Sequence, residues 1–359
     1  MKRYAFSLTV VIVGLLLCFN ALVVFAQEAS VAEGVAIRAA QLRFVREVQR
    51  NNEAWLFSIP GVIGVGIGLD ERGDGLALHV HLNVHATGAS AAEVPQHVDG
   101  VVVRAMETNE IVAYDAGPQH RLQYNTPVPM GVSTSNDNGC FAGTLAVRVF
   151  RIGNSSRVGY ITNAHVASAG GASLCPGRAV FSEDQFQRAR LDNNPQCSAT
   201  GVKKIGDLIQ HIPIVFGGSF ENTVDAAFVL SSRSLVSKSI LDIGNPSPTV
   251  LEPALAAPVQ KSGRTTGLQF GTITSINNTI LVNYGGACGT AKFINQIGIT
   301  PGTFSDPGDS GSLILHRTAK DSSGRFRPVG LLFAGSDTTT FANRIDDVLG
   351  ALSSVIDTL

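Results

Sequence analysis

The sequence predicts a mostly β protein preceded by a small α/β segment, and three observations predict it. Glycine occurs 38 times in 359 residues, alongside many runs of Val, Ile and Thr, a balance that favours short strands joined by frequent turns. Hydrophobic residues make up 44% and charged ones 15%, so the chain can build a core and is not of the disordered class. Between Leu76 and His85 two sets of side chains alternate strictly, the period-two mark of a strand. The formal net charge of −1 gives no electrostatic case for a nucleic-acid partner.

At the amino terminus, Lys2 and Arg3 precede an apolar run from Leu8 to Phe25, and Val24-Phe25-Ala26 places a small residue at a cleavage point. This predicts a secretory signal peptide over residues 1–26, cut after Ala26, and a secreted or periplasmic protein. Left uncut, the run is near the length of a short membrane anchor. No other stretch is long enough to cross a bilayer. Cys18 follows Leu17 where lipoprotein processing needs a small residue. Removing Cys18 leaves Cys140, Cys175, Cys197 and Cys288, an even number that predicts two disulfides with three possible connectivities. None lies in a Cys-x-x-Cys pair, so no structural zinc site is expected.

Residues 31–58 have helical periodicity, with Ile37, Phe44, Val48 and Trp55 on the apolar stripe and Ile59-Pro60-Gly61 as the stop. Gly61 to Gly68 has glycines that suggest a phosphate loop, but neither the dinucleotide spacing nor a following helix; it reads as a strand. A turn at Arg72-Gly73-Asp74-Gly75 makes a hairpin with the next strand. There Leu76, Leu78, Val80, Leu82 and Val84 form one face and Ala77, His79, His81, Asn83 and His85 the other. Three histidines on one face could ligate a metal. No carboxylate or cysteine joins them, and the expected reading is an exposed polar face with no metal. Val101–Arg104 and Ile111–Tyr114 are further short strands. Residues 27–125 are thus expected to form a small α/β domain without catalytic signals, bounded by Tyr124-Asn125-Thr126-Pro127-Val128-Pro129.

Beyond that boundary, Phe141–Val149 and Val158–Thr162 read as paired strands. The interval from Cys175 to Cys197 is polar and aperiodic, and reads as a surface insertion. A linker rich in Pro, Ser and Ala spans Gly244–Pro258. Strands follow at Gly271–Ile276 and Val329–Ser336, and Ile345–Leu352 is a short helix.

The chemistry centres on Phe304-Ser305-Asp306-Pro307-Gly308-Asp309-Ser310-Gly311-Ser312. A serine between small residues in a tight turn exposes its hydroxyl and turns neighbouring N–H groups toward one point. Such a hydroxyl needs a base, and the base a third group to hold it. Thr162-Asn163-Ala164-His165-Val166 ends one apolar strand in a histidine, and Val224-Asp225-Ala226-Ala227-Phe228-Val229 places an acid at the head of another. Asp207 is a weaker competitor, because the strand around it is less regular. Each residue alone reads as structural; the three in this order read as a triad.

These segments resemble those of the trypsin-like (chymotrypsin-fold) serine peptidases, over roughly Pro127 to the C-terminus. Residues 27–123 resemble the leader of a secreted bacterial branch to which plant narrow-leaf type proteases look related. Lys261-Ser262-Gly263-Arg264-Thr265-Thr266-Gly267-Leu268 is similar to the start of the second barrel in bacterial relatives, HtrA-type proteases included. The resemblance implies two six-stranded antiparallel β-barrels, at about 126–243 and 258–359. It implies a serine endopeptidase acting on protein or peptide substrates without a cofactor. His165, Asp225 and Ser310 would be catalytic, and the N–H groups of Gly308 and Ser310 would form the oxyanion hole. Phe304 would be the base of the specificity pocket, with Phe333, Ala334, Gly335 and Thr339 as its walls. No acid is among them, so a preference for Lys or Arg is not expected, and an apolar or small residue fits better. Arg264 reads as fixing a loop. One departure stands out. Relatives that activate by cleavage pair a freed Ile/Val-x-Gly-Gly terminus with the acid before the nucleophile, and no such segment lies between Pro127 and Gly139. Asp309 therefore needs another partner. The alternatives are a non-catalytic binding protein on the same fold and a precursor masked by residues 27–123.

Overall fold

A computed structural model describes residues 39–111, 120–137, 139–168, 175, 183–285 and 288–359. The expected signal peptide at 1–26 and residues 112–114 of the strand expected at 111–114 lie outside the described residues. No described helix is long and apolar enough to cross a membrane.

Helix α1 covers residues 39–56. Its buried stripe is offset from the expected one: Val45, Val48 and Leu56 are buried, whereas Phe44 and Trp55 are about half exposed, at 53% and 50%. The strands β1 (Val62–Leu69) and β2 (Leu76–Asn83) form the expected hairpin, with Val65 opposite Val80. Then follow β3 (His97–Val98) and β4 (Val101–Thr108), β4 running parallel to β2. The histidine face of β2 corrects the sequence reading. His79 and His81 are 3% and 2% exposed, because the sheet is covered on both sides. The His81 ring stands edge-on to Phe341, centroids 5.3 Å apart. Burial pushes the His81 imidazole down to about 3, so it is neutral in the fold. The glycines of β1 make this packing possible. A Cβ at Gly66 would lie 1.8 Å from Asn278 Oδ1, and one at Gly68 would lie 2.1 Å from His79 Cε1.

The chain continues through β5 (Val128–Met130), β6 (Ser133–Asn136), β7 (Gly143–Thr144), β8 (Val147–Arg151) and β9 (Asn154–Thr162) to the short helix α2 (Ala164–Ala167). Next come β10 (Asp184–Gln187), β11 (Lys203–His211), β12 (Gly217–Asn222), β13 (Ala227–Leu230) and β14 (Val236–Ile240). One sheet runs β8-β9-β13-β11-β10-β6-β7. Since β7 leads into β8 after two residues, the sheet closes on itself as a six-position antiparallel ring. Hydrogen bonds from Gly131 N to Leu145 O and from Ala146 N to Ile161 O stitch that seam. The interval 175–197 is therefore not only a surface insertion: β10 is a barrel strand with Gln185 and Gln187 buried. Their polarity hid it. Gln185 Nε2 donates to Ala167 O at 2.9 Å and Gln187 Nε2 to Leu122 O at 2.7 Å, which makes these amides tolerable inside.

The second half contains β15 (Pro258–Gly263), β16 (Gly267–Asn283), β17 (Thr290–Thr300), β18 (Leu313–Lys320), β19 (Phe326–Gly335), β20 (Thr340–Arg344), the helix α3 (Ile345–Ala351) and β21 (Ser354–Ile356). Strands β15, β16, β17, β20, β19 and β18 close a second antiparallel ring, β18 returning to β15. Strand β16 outruns its expected span because its register with β17 shifts at three places and Asn277 turns through φ +55°. Such bulges bend a strand, and β16 serves three partners: β15, β17, and β1 with Thr279 opposite Val65. The main core spans both halves, from Val147, Tyr160 and Phe228 to Leu313, Leu331 and Val348. The disulfides are Cys140–Cys197 and Cys175–Cys288, which resolves the three connectivities left open.

Candidate active site

Strand β9 ends at Thr162, and Asn163, in extended conformation, hands the chain to α2. His165 is the second residue of that helix, so its ring is held by two adjoining elements. Its backbone N–H donates to Asp225 Oδ1 at 3.1 Å, and Nδ1 lies 2.5 Å from Asp225 Oδ2. Asp225, at the entrance to β13, is fully buried. A buried carboxylate must be satisfied by donors, and it has a third in the Tyr284 hydroxyl, 2.9 Å from Oδ2. Burial, then the neighbouring carboxylate, holds the Tyr284 phenol well above its ordinary range, so the hydroxyl remains a donor. Asn163 Nδ2 donates to the Asp225 carbonyl at 2.7 Å, and Asp225 N donates to Asn343 Oδ1 at 3.0 Å. Asn343 is fixed in turn through Nδ2 to Gln296 Oε1 at 2.7 Å. An acid of the first ring is thus gripped by three strands' worth of the second.

The Ser310 turn is set by its glycines. Gly308 and Gly311 have φ +95° and +94°, a region that glycine enters without steric cost. A Cβ at Gly311 would also lie 2.2 Å from Thr144 O. The turn is bolted to the first ring: Thr144 N donates to Ser310 O at 2.7 Å and Thr144 Oγ1 to Gly308 O at 2.9 Å. Thr162 Oγ1, three residues before His165, donates to Thr144 O at 2.8 Å. Neither the Gly308 nor the Ser310 N–H finds an acceptor among the described residues. Ser310 is fully buried, and its Oγ donates to Phe333 O at 3.4 Å. His165 Nε2 has no hydrogen-bond partner among the described residues. Two of the three predicted residues are therefore joined. The third is anchored to β7, which Thr162 ties to the end of β9, but is not hydrogen-bonded to the imidazole.

Asp309 has the partner its sequence context lacked. Lys261 Nζ lies 2.7 Å from Asp309 Oδ2, and both side chains are fully buried. Thr265 N, Thr266 Oγ1 and Asp306 N also donate to this carboxylate, at 2.8, 2.7 and 3.1 Å. Burial pulls the Lys261 ammonium down from its ordinary range, while Asp309 opposes that. Arg264, fully buried, makes a two-pronged contact with Asp192 and fixes a loop, as its sequence context suggests. Asp207 forms an exposed pair with Lys204, away from His165. Of the expected pocket residues, Phe333 and Ala334 belong to a buried apolar cluster with Ala164 and Phe341. Thr339 is 2% exposed, and Phe304 packs beside Gly271. Sequence reasoning missed Tyr284, Asn343 and Lys261. Each lies on a strand or loop remote from the residue it serves, with no local motif to mark it.

No model of a known family matches the chain, and no curated protein is similar to it in sequence. Solved structures similar to it include Thermobifida fusca Protease A, at 20% identity and TM-score 0.42 over 65% of this chain and 99% of that one. Another is Cellulomonas bogoriensis chymotrypsin, at 20% identity and TM-score 0.40 over 65% and 99%. A third is Nocardiopsis protease, at 16% identity and TM-score 0.40 over 64% and 99%.

Proposed function

We propose that this chain is an exported serine endopeptidase, with residues 126–359 as the peptidase region and 27–125 as a leader. The observation that carries the reading is the pairing of His165 with the buried Asp225. Its Nε2 has no partner among the described residues, and Thr144 of β7 links the Ser310 turn to Thr162 at the end of β9, three residues before His165.

In the proposed reaction, Ser310 Oγ leaves the Phe333 carbonyl and attacks the peptide carbon while His165 Nε2 takes its proton. Asp225 holds the ring through Nδ1 and stabilises the imidazolium. The oxyanion is received by the N–H groups of Gly308 and Ser310, each worth about 3 kcal/mol in such sites. Collapse returns the proton from Nε2 to the leaving amine and leaves an acyl-Ser310, which water hydrolyses by the same path. Phe304, Phe333, Ala334, Gly335 and Thr339 would shape the pocket for an apolar or small side chain.

A fluorophosphonate probe is expected to label Ser310, and Ser310→Ala to abolish labelling with an unchanged thermal transition. Asp225→Asn is expected to lower kcat by roughly 10⁴-fold, as when a triad acid loses its charge. A folded protein that is never labelled, with or without proteolytic trimming of the leader, contradicts the reading. Exported protein should begin at Gln27.

A further inference from the structure

One segment outside both rings is bonded to the two stretches that flank the candidate site, residues 336–338 and Asn283. At the end of β4, Thr108 Oγ1 donates to Ser336 Oγ at 2.6 Å and also contacts Asp337 Oδ1 at 3.3 Å. Thr338 Oγ1 donates back to Thr108 Oγ1 at 3.1 Å, and Asn109 N donates to Asp337 Oδ1 at 3.3 Å. Residues 336–338 directly continue β19, whose Phe333 carbonyl accepts from Ser310. On the opposite side Asn283 grips the same segment. Its N–H donates to Ile111 O at 3.0 Å, and its Nδ2 donates to Glu110 Oε1 at 2.6 Å. The residue after Asn283 is Tyr284, the donor to Asp225.

Between these grips Ile111 is fully buried. The apolar cluster it joins includes Ala164, next to His165, together with Phe333, Ala334, Phe341 and Ile214; Tyr284 and Phe216 pack against it. One aliphatic side chain therefore shares an apolar cluster with the chain neighbour of His165 and with the residue whose carbonyl accepts from Ser310, and the donor to Asp225 packs against that cluster. In the same state Ser310 has no exposed surface and the His165 side chain is 10% exposed. Neither group offers a substrate more than a small part of its surface in this state.

We propose that Thr108–Ile111 is an internal strap occupying the substrate cleft, with Ile111 in an apolar subsite that takes an aliphatic side chain of the substrate when the strap is withdrawn. This rests on the serine-peptidase reading and adds to it both a masked state and a substrate class. A covered site is competent only in the fraction of molecules whose strap is out, and its apparent reactivity falls by that fraction.

The test uses the full chain and two strap variants. Ile111→Glu places a carboxylate in the apolar cluster, where it has no partner, and so expels the strap. The pair Thr108→Val and Glu110→Ala removes only the polar grips and spares the cluster. Fluorophosphonate labelling of Ser310 is expected to accelerate about tenfold or more in the first and several-fold in the second, both retaining a cooperative melt. A dye-labelled Thr-Asn-Glu-Ile peptide is expected to bind the Ile111→Glu protein saturably, to bind wild type weakly, and to slow labelling. The same peptide with Asp in place of Ile should do neither. Labelling at the wild-type rate in both folded variants, without peptide binding, overturns the strap. Saturable peptide binding to a variant that is never labelled upholds the strap and sinks the serine chemistry instead, so the two failures are told apart.

Discussion

Behind Ser310, Lys261 and Asp309 set two opposite charges into the interior, where neither is exposed to water. Asp309 also accepts from Thr265, Thr266 and Asp306, so it fixes two stretches of chain around the Ser310 turn. The ammonium neutralises it with a side chain, without help from a chain terminus. Removing one member of such a pair leaves the other charged and dry. Lys261→Met is therefore expected to cost about 3–5 kcal/mol of stability, read by urea denaturation; a cost under about 1 kcal/mol would mean the pair is reached by water. Tyr284 acts on the other side of the site. Tyr284→Phe removes one donor to the Asp225 carboxylate, an interaction of about 1.5–3 kcal/mol, and should lower kcat about tenfold or more with KM little changed. An unchanged kcat would show that the two His165 donors alone position the acid. What was legible at this scale was the set of residues in short motifs. His165, Asp225 and Ser310 each sit where an apolar strand meets small residues, and that pattern is local. Their supports are not local: Tyr284 and Asp225 are 59 residues apart, and Asn343 and Asp225 are 118.

Among elements, β2 shows what alternation can and cannot say. Period two correctly separated its faces, but a strand's own pattern does not reveal what covers each face. Here β1 has glycines at 66 and 68, over which Asn278 and His79 lie, and Phe341 meets the His81 ring. A histidine face can then be buried, provided it stays neutral. Acid should test this with a definite sign. The folded-state value of His81, about 3, lies below the ordinary 6.5, so between these the unfolded chain holds a proton that the native one does not. Stability must fall as pH drops from 6.5 toward 3, by up to about 1.4 kcal/mol per pH unit for one such group. His79 is also lowered, by burial first and by Arg104 second, and acts in the same direction. His81→Phe keeps a ring against Phe341 and removes the proton site. Its stability is expected to fall less steeply than wild type between pH 6.5 and 4, measured by denaturant midpoints. Parallel slopes for the two proteins would mean that His81 does not titrate on unfolding.

For the whole molecule, turn-separated apolar runs marked strands, and the two rings were legible only through the family resemblance that the three ordered motifs carry. The join between β1 and β16 was not, since strand pairing across some 200 residues leaves no mark in either segment. That join makes β3, β4, β2 and β1 the outer strands of the sheet that also closes the second ring. Residues of a shared sheet exchange backbone hydrogen bonds, so loss of one part exposes an edge and apolar surface on the other. Trp55, the single tryptophan of the chain, lies shortly before β1 and reports on that end of the sheet, while far-UV circular dichroism is dominated by the rings. If the sheet unfolds as a unit, the two signals should follow one denaturant transition with the same midpoint, the usual mark of a cooperative two-state change. An earlier tryptophan transition, with the dichroism of the rings intact, would show that the β1–β16 pairing carries little coupling. It would also make withdrawal of the proposed strap a local event that leaves the two rings folded.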